Sequence, residues 1–296
     1  MNFISMVDIN EDLDEILKLS SKLKREKFGS QLEQKTLAMI FEKVSTRTRV
    51  SFEVGMTQLG GHAIYLEPQS MQLKRGETIK DTAKTLSRYV DCIMVRAYRH
   101  EDVVELGKYA EVPVINGLTD LEHPCQALSD LFTIKEVKGG FDIKLGYVGD
   151  GNNVCNSLLL GASMVGMDMS VGCPGGYEPD RSIIKKAKEF SRESGSKIEI
   201  VNDPFEAVSK ADIVYTDVWK SMGDEKDKKR KIKFEGYQVN SKLLEHANEP
   251  LIMHCLPAKR GQEITDEVLD SKNSIVFEQA ENRLHAQKAL LCFLLE

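Results

Sequence analysis

The chain has 296 residues, of which 41% are hydrophobic and 29% are charged, and its formal net charge is −6. This composition is typical of a globular protein long enough for two cores, and the negative charge argues against a general nucleic-acid surface, which needs a basic field. The sequence has neither an apolar run near the ~20 residues of a membrane span nor a signal-peptide pattern at its start, so we expect a cytoplasmic protein.

The six cysteines suggest neither a metal site nor a disulfide scaffold. They occur at positions 92, 125, 155, 173, 255 and 292. No two of them form a C-x-x-C pair, and their wide spacing is unlike that of small disulfide-rich domains. We expect most of them to be buried thiols that pack as small apolar side chains, and Cys255 is considered separately below.

In the first half of the chain, short apolar runs alternate with segments of helical periodicity. The apolar runs predict buried strands at 36–41, 62–66, 91–95 and 112–118. Helices are predicted from residue 46 to Gly60-Gly61, and at 77–89, 100–110 and 125–137. The Gly139-Gly140 pair after the last helix predicts a domain boundary, because glycine is common at helix C-termini and flexible joints.

The second half repeats the alternation. Strands are predicted at 144–149, 168–173, 197–201, 212–216 and 251–255, and helices at 153–165, from Asp180, and over 277–295. Alternating strands and helices predict an α/β fold with two doubly wound parallel-sheet domains of similar size. We predict domains at 1–138 and 139–272, and a C-terminal helix (273–296) that crosses back to the first domain.

The stretch FEKVSTRTRV (41–50) places three hydroxyls and two guanidiniums at five consecutive positions, Ser45 to Arg49. We call these five residues the donor cluster. The cluster follows a predicted strand and opens a predicted helix, where free backbone N–H groups and the helix dipole favour an anion such as phosphate. A helix cap beside a solvated arginine is the alternative, but five such residues exceed what one cap needs, so the sequence favours an anion site.

The segment LGYVGDGNNV (145–154) contains part of a dinucleotide-binding fingerprint. A predicted strand runs into Gly149-x-Gly151 and then into a helix. However, Val154 replaces the third glycine, and the acidic residue expected at the end of the next strand is missing. The sequence therefore favours a tight strand-to-helix turn, with Asn152 and Asn153 at the sheet edge, and a nicotinamide-binding protein stays a remote alternative.

Further polar residues follow predicted strands or lie on helices near them, and the carboxyl ends of parallel strands share one edge of a sheet. These residues are Arg96, His123, Gln126, Asp217, Ser221, Met222, Cys255, Leu256 and Arg283. Arginines 96 and 283 could complete an anion pocket with the donor cluster, while residues 153, 217 and 221 could bind the charged head of an amino acid.

Five motifs closely resemble those of the ornithine carbamoyltransferase family. They are STRTR (45–49), HPCQ (123–126), DVWKSMG (217–223), HCLP (254–257) and ENRLHAQKA (281–289), and they span essentially the whole chain in the right order. The first two are shared with aspartate carbamoyltransferases, whereas SMG and HCLP point to ornithine. The resemblance implies an active site in the cleft between the two domains, a homotrimer, and no metal or other cofactor.

The resemblance also implies a role for each matching residue. Carbamoyl phosphate binding is assigned to Ser45, Thr46, Arg47, Thr48, Gln72, Arg96, His123, Gln126, Cys255, Leu256 and Arg283, with Gln72 supplied by a neighbouring subunit. Ornithine binding is assigned to Asn153, Asp217, Ser221 and Met222. The expected catalytic residues are Arg47, His123, Asp217 and Cys255, and we expect Arg49 to brace the turn.

The implied reaction moves the carbamoyl group of carbamoyl phosphate to the side-chain amine of L-ornithine, giving L-citrulline and phosphate. An alkyl ammonium has a pKa near ~10.4, so it must lose a proton before attack, and desolvation lowers that pKa. We expect direct attack without a covalent enzyme intermediate, with Cys255 orienting the amine or accepting its proton.

Two departures from the family pattern are Lys259, where many relatives carry His, and a lysine-rich segment at 221–236 that we predict to be a mobile lid. Three questions stay open at this point. The acceptor amine could be putrescine or aspartate instead of ornithine, the role could be arginine biosynthesis or degradation, and the assembly could extend beyond a trimer.

Overall fold

The computed structural model describes residues 1–67, 71–72, 76–219 and 232–296. The chain forms two compact units: unit 1 comprises Met1–Phe132 and Glu281–Glu296, and unit 2 comprises Thr133–Ala280. No helix within the described ranges combines the length and the apolar character that crossing a bilayer requires.

Unit 1 is built on a parallel sheet with helices between its strands. The strands are β1 (Thr36–Phe41), β2 (His62–Leu66), β3 (Cys92–Arg96) and β4 (Val114–Leu118). They lie in the order β2-β1-β3-β4, and every pairing is parallel. The helices are α1 (Leu13–Arg25), α2 (Thr46–Gln58), α3 (Ile79–Leu86), α4 (His100–Tyr109) and α5 (Pro124–Lys138), whose last residues belong to unit 2.

Unit 2 is built on a five-stranded parallel sheet. Its strands are β5 (Lys144–Val148), β6 (Asp168–Gly172), β7 (Ile198–Val201), β8 (Ile213–Thr216) and β9 (Leu251–His254), in the order β7-β6-β5-β8-β9. Its helices include α6 (Asn153–Met164), α7 (Arg181–Ser194), α8 (Pro204–Val208), α9 (Ser241–Leu244) and α10 (Asp266–Leu269). The central strands are almost fully buried, as their continuous apolar runs predict.

The predicted fold class, two parallel-sheet α/β domains, is confirmed. Each predicted strand is present, with ends that differ by no more than two residues. Helix α1 is absent from the predicted elements, although Leu13, Ile16, Leu17 and Leu23 recur at helical spacing and are buried. That periodicity was the available signal for α1.

The last helix, α11 (Val276–Leu295), begins in unit 2 and belongs to unit 1 from Glu281 onwards. Within unit 1 it is fixed by Lys288, whose buried Nζ donates to the carbonyl oxygens of Leu23 and Lys27 and to Gln58 Oε1. Leu23 lies in the last turn of α1, where carbonyl groups lack intrahelical partners, and Lys27 lies two residues after the helix ends. Lys288 therefore ties α1 and α2 to the helix that carries Arg283.

The strand register in unit 1 brings two predicted site segments together. Phe41, at the end of β1, pairs with Arg96, at the end of β3. The backbone N–H of Glu42 then donates to the Arg96 carbonyl at 2.9 Å. The donor cluster and Arg96 therefore both emerge from the same edge of the sheet.

Candidate active site

The donor cluster forms the N-terminus of α2. Ser45 is the N-cap, and its Oγ accepts a hydrogen bond from the Thr48 N–H at 3.2 Å. Because the first N–H groups of a helix have no intrahelical acceptor, those of Thr46 and Arg47 can donate to a ligand. Thr46 is exposed and Arg47 is partly buried, while the Thr48 side chain is fully buried. The helix start therefore has the geometry of an anion site.

Two guanidiniums converge on the Thr48 hydroxyl. Arg96 Nη1 lies 3.4 Å from Thr48 Oγ1, and Arg283 Nη2 lies 3.3 Å from the same atom. Guanidinium groups can only donate, so the hydroxyl oxygen accepts from both. Its own O–H is then directed away from the two arginines and can donate to a ligand.

Gln126 and Arg283 form a tight pair that joins α5 to α11. Arg283 Nη1 donates to Gln126 Oε1 at 2.7 Å, and Gln126 Nε2 donates to Asp130 Oδ1 at 2.8 Å. Both bonds are buried. Because an arginine N–H must face an acceptor, the orientation of the Gln126 amide is fixed, and the carboxylate of Asp130 helps to hold it.

His123 lies directly before α5 and is almost completely buried. Burial lowers its pKa well below the ordinary value, and the charges of Arg283, Arg96 and Arg47 lower it further. The imidazole is therefore neutral at physiological pH, so one ring nitrogen donates and the other accepts. The same three arginines that favour an anion thus add to the effect of burial in keeping His123 uncharged.

Arg49 points to a different partner from the rest of the donor cluster. Its guanidinium carbon lies 4.0 Å from the centre of the Tyr65 ring, and its Nε donates to Glu53 at 3.0 Å. The contact with Tyr65 connects α2 to β2, whereas Glu53 lies on α2 itself. Gln72 is exposed, and its carbonyl accepts from the Glu77 N–H at 3.2 Å.

In unit 2, Asp217 lies after β8 and is held from two sides. The Cys255 thiol donates to Asp217 Oδ1 at 3.1 Å, and Asn152 Nδ2 donates to Asp217 Oδ2 at 2.7 Å. The three residues follow β8, β9 and β5, which are neighbours in the sheet. The predicted catalytic pair, Asp217 and Cys255, is therefore in direct contact, with the thiol as donor and the carboxylate as acceptor.

The turn after β9 is shaped by His254. Its Nδ1 accepts from the Leu256 N–H at 2.9 Å, so its Nε2 carries a proton and donates to Glu263 Oε1 at 3.2 Å. Leu256 adopts a left-handed backbone conformation with φ 55°, which a non-glycine residue adopts only when its surroundings hold it. The buried His254–Glu263 pair therefore fixes the backbone next to Cys255.

The side chains of Asp217, His254 and Cys255 each offer one possible metal-ligand atom, and these atoms lie within 4.8 Å of one another. Both ring nitrogens of His254 already have hydrogen-bond partners. A metal ion bound to His254 would have to displace one of them. The cluster therefore fits a hydrogen-bonded network better than a metal centre.

Of the other residues predicted to bind ornithine, the structure describes only Asn153. Asn153 is buried at the start of α6, and its Oδ1 accepts from the Val154 N–H at 2.9 Å. Ser221 and Met222 lie outside the described residues, as does most of the predicted lid at 221–236.

The two glycines of the partial fingerprint are explained by the chain itself. Gly149 has φ +145°, and a Cβ on Gly151 would lie 2.2 Å from the Pro179 nitrogen. Gly151 is therefore required by the close approach of another backbone segment. This geometry matches the interpretation of a tight strand-to-helix turn.

Two residues with structural roles in the site, Gln287 and Asn152, were not assigned a role from the sequence. Gln287 Oε1 accepts from Arg283 Nε, and Asn152 holds Asp217. The signal for Gln287 was its spacing, because residues four apart lie on one face of a helix. For Asn152 the signal was its position before a helix, which is typical of an N-cap.

Comparison with known proteins identifies the family. Residues 1–136 match the family model described as the aspartate/ornithine carbamoyltransferase carbamoyl-P binding domain, and residues 141–294 match that of the Asp/Orn binding domain. The ornithine carbamoyltransferase of Archaeoglobus fulgidus is 55% identical over 302 residues, covering 99% of this chain and 97% of the relative.

Solved structures agree. That of the Pyrococcus furiosus ornithine carbamoyltransferase has TM-score 0.97 and 53% identity, covering 100% of this chain and 97% of that one. That of the anabolic ornithine carbamoyltransferase of Campylobacter jejuni has TM-score 0.94 and 42% identity, covering 99% of this chain and 98% of that one. These matches confirm the family predicted from the motifs: the chain belongs to the aspartate/ornithine carbamoyltransferase family.

Proposed function

We propose that this chain is an ornithine carbamoyltransferase, which transfers the carbamoyl group of carbamoyl phosphate to the side-chain amine of L-ornithine and releases L-citrulline and phosphate. Its relatives over nearly the full length carry that name. The observation that carries the proposal is the convergence of Arg96 and Arg283 on the Thr48 hydroxyl. This cluster is suited to a small, doubly charged anion.

The phosphate group is bound at the start of α2. Ser45, Thr46, Arg47 and Thr48 supply hydroxyl, guanidinium and backbone donors, and Arg96 adds a second positive charge. As the bond from carbamoyl carbon to phosphate oxygen breaks, negative charge grows on the leaving phosphate. Charged donors already in place stabilise it without reorganisation.

The carbamoyl group is bound by His123, Gln126 and Arg283. Attack by an amine places negative charge on the carbamoyl oxygen, and donors aimed at that oxygen stabilise the transition state. A neutral His123 can donate from one nitrogen and accept from the other, so it can bind both the oxygen and the amide N–H side of the carbamoyl group. Backbone groups of Cys255 and Leu256 are proposed to complete this binding.

Ornithine is bound by residues of unit 2. Asn153, Ser221 and Met222 bind its amino-acid head group, and Asp217 with Cys255 receives the reacting amine. An amine nitrogen can attack only after its ammonium form loses a proton. We propose that the Asp217 carboxylate, which is held by Cys255 and Asn152, orients the amine, and that the attack is direct, with no carbamoyl-enzyme intermediate.

The assembly, the domain division and the location are further parts of this proposal. We infer a homotrimer in which the exposed Gln72 reaches the carbamoyl phosphate site of a neighbouring subunit. We place the functional domains at 1–138 and 139–272, with a C-terminal helix at 273–296, and the protein in the cytoplasm. The anabolic name of the Campylobacter jejuni relative favours arginine biosynthesis over degradation.

A substrate panel tests the proposed function. Citrulline should form from carbamoyl phosphate and ornithine, with far lower rates for putrescine and aspartate. Putrescine lacks the α-carboxylate that the head-group residues bind, so equal rates with putrescine would show a different acceptor specificity. Activity on aspartate alone would overturn the proposal. Calorimetric binding of NAD without binding of carbamoyl phosphate would favour a nicotinamide protein.

A further inference from the structure

Gln287 lies four residues after Arg283 on α11 and is fully buried. Its Oε1 accepts from Arg283 Nε at 2.9 Å, and its Nε2 donates to Ser51 Oγ at 2.7 Å. Ser51 Oγ in turn donates to the Arg47 carbonyl at 2.6 Å. We propose that Gln287 is a positioning residue that holds Arg283 and the first turn of α2 in register, an inference that rests on the proposed function.

The direction of this hydrogen-bond chain is fixed by its chemistry. Arg283 Nε can only donate, so it must face the amide oxygen of Gln287 and not its nitrogen. The amide nitrogen is then left for Ser51, whose oxygen accepts. The Ser51 proton must therefore point to a carbonyl, and the Arg47 carbonyl is the nearer of two within reach. A rotated Gln287 amide would place an N–H against an N–H.

Gln287 adds a third contact to those that fix the Arg283 guanidinium. Nη1 is bound to Gln126 and Nη2 to Thr48, and both partners lie at the outer end of the group. The bond from Nε to Gln287 is the contact nearest to the aliphatic stem. A free arginine side chain loses rotamer entropy when it is immobilised on binding. Holding it before the ligand arrives removes part of that loss from the binding free energy.

The link through Ser51 extends the effect to α2. Ser51 lies one turn after Arg47, and its hydroxyl connects the α2 backbone to a side chain of α11. Arg47 is proposed to bind the phosphate end of the substrate and Arg283 the carbamoyl end. A fixed distance between these two arginines therefore favours binding of a ligand that contacts both.

Three substitutions separate the parts of this network. Gln287→Met removes both bonds with little change in volume, Gln287→Glu keeps an acceptor for Arg283, and Ser51→Ala removes only the link to α2. The Michaelis constant for carbamoyl phosphate should rise about tenfold in Gln287→Met, since a hydrogen bond to a charged group is lost. Gln287→Glu should recover most of that loss, and Ser51→Ala should show an increase of about threefold.

Thr57→Ala is the matched control for Ser51→Ala. Thr57 is an exposed residue of α2 whose hydroxyl also bonds a carbonyl one turn earlier, but it has no role in the proposed network. The Michaelis constant of the Thr57→Ala variant for carbamoyl phosphate should stay at the wild-type value. Thermal melting of all variants separates a folding defect from a binding defect.

Coupling to Arg283 decides whether Gln287 is only a packing residue. In an Arg283→Ala background, Gln287→Met should add no further increase in the Michaelis constant for carbamoyl phosphate. Equal effects in both backgrounds, or an unchanged constant in the single variant, would overturn the proposal. A Gln287→Glu variant as impaired as Gln287→Met would do the same. If Gln287→Met fails to fold, Ser51→Ala still tests the proposal, because an unchanged Michaelis constant in that variant would overturn it. If the wild type forms no citrulline, the proposed function fails, while calorimetric binding of carbamoyl phosphate without an amine still tests Gln287.

Discussion

Asn152 offers a sharp test of the proposed ornithine site in unit 2, because its side chain makes two contacts that substitutions can separate. Its Oδ1 caps α6 by accepting from the N–H groups of Val154 and Cys155 at 3.0 and 3.1 Å. Its Nδ2 donates to Asp217 Oδ2 at 2.7 Å. Asn152→Ser keeps a capping oxygen and removes the donor to Asp217, whereas Asn152→Ala removes both.

The expected magnitudes follow from these contacts. A hydrogen bond to a charged group contributes about 1.5–3 kcal/mol, and the partial exposure of Asn152 favours the lower end. If Asp217 must hold its orientation in the transition state, kcat/KM for ornithine should fall about tenfold in both variants. Both variants lose the bond to Asp217, and loss of the cap lowers the stability of Asn152→Ala by about 1 kcal/mol more, so Asn152→Ala should melt roughly 2–4 °C below Asn152→Ser.

Steady-state citrulline assays at varied ornithine, with calorimetric melting of both variants, measure the two effects independently. An unchanged kcat/KM in Asn152→Ser would show that Asp217 needs no support from Asn152. Equal melting temperatures for Asn152→Ser and Asn152→Ala would show that the side chain does not act as a cap.

Four further predictions test other parts of the argument. Arg47→Lys should weaken carbamoyl phosphate binding at least about tenfold in a Michaelis constant assay, because an ammonium cannot reproduce a planar, two-pronged donor; near-normal kinetics would remove Arg47 from the phosphate site. Cys255→Ser should retain more activity than Cys255→Ala because a hydroxyl can still donate, and mass spectrometry should find no carbamoylated enzyme; a trapped adduct would contradict direct attack. Gly151→Ala should lower the melting temperature strongly, since its Cβ would meet another backbone segment at 2.2 Å, whereas Gly175→Ala, with no atom within 4 Å of its Cβ, should not. The free energy of unfolding should decrease as pH falls below ~6.5, by up to ~1.4 kcal/mol per pH unit for His123. The reason is that the imidazole takes up a proton in the unfolded chain but not in the folded one. The pH dependence of the free energy of unfolding should have a shallower slope in His123→Gln.

The fold was readable from the sequence because its signals are local. Strands such as β1 and β8 are short apolar runs bounded by polar residues, and parallel strands buried on both faces require such runs. Helix α1 was missed because the prediction relied on conspicuous apolar runs and motifs. Its apolar positions are regular, but polar residues separate them and no conspicuous motif marks the segment.

The sequence indicates candidate residues for the site, but it does not indicate the hydrogen bonds between them. Parallel strands end at one edge of a sheet, so the position of Arg96 at the end of a predicted strand indicated that it lies at the same edge as the donor cluster. The contact of Arg283 with Thr48, across 235 positions, depends on how α11 packs on unit 1, which no local pattern encodes. The part played by Gln287 follows only after that packing is known.

The electrostatics of unit 1 connect the ligand to the state of His123. Arg47, Arg96 and Arg283 are all close enough to lower the pKa of the buried imidazole, and their mutual repulsion has to be tolerated in the folded chain. An anion bound among them offsets both effects, since it attracts each guanidinium and favours the protonated form of a nearby histidine. Phosphate binding should therefore stabilise unit 1 against unfolding and move the His123 pKa back towards its usual value. Burial and the three arginine charges together keep His123 neutral in the free protein, and a bound anion reduces the part of the pKa depression that the charges cause.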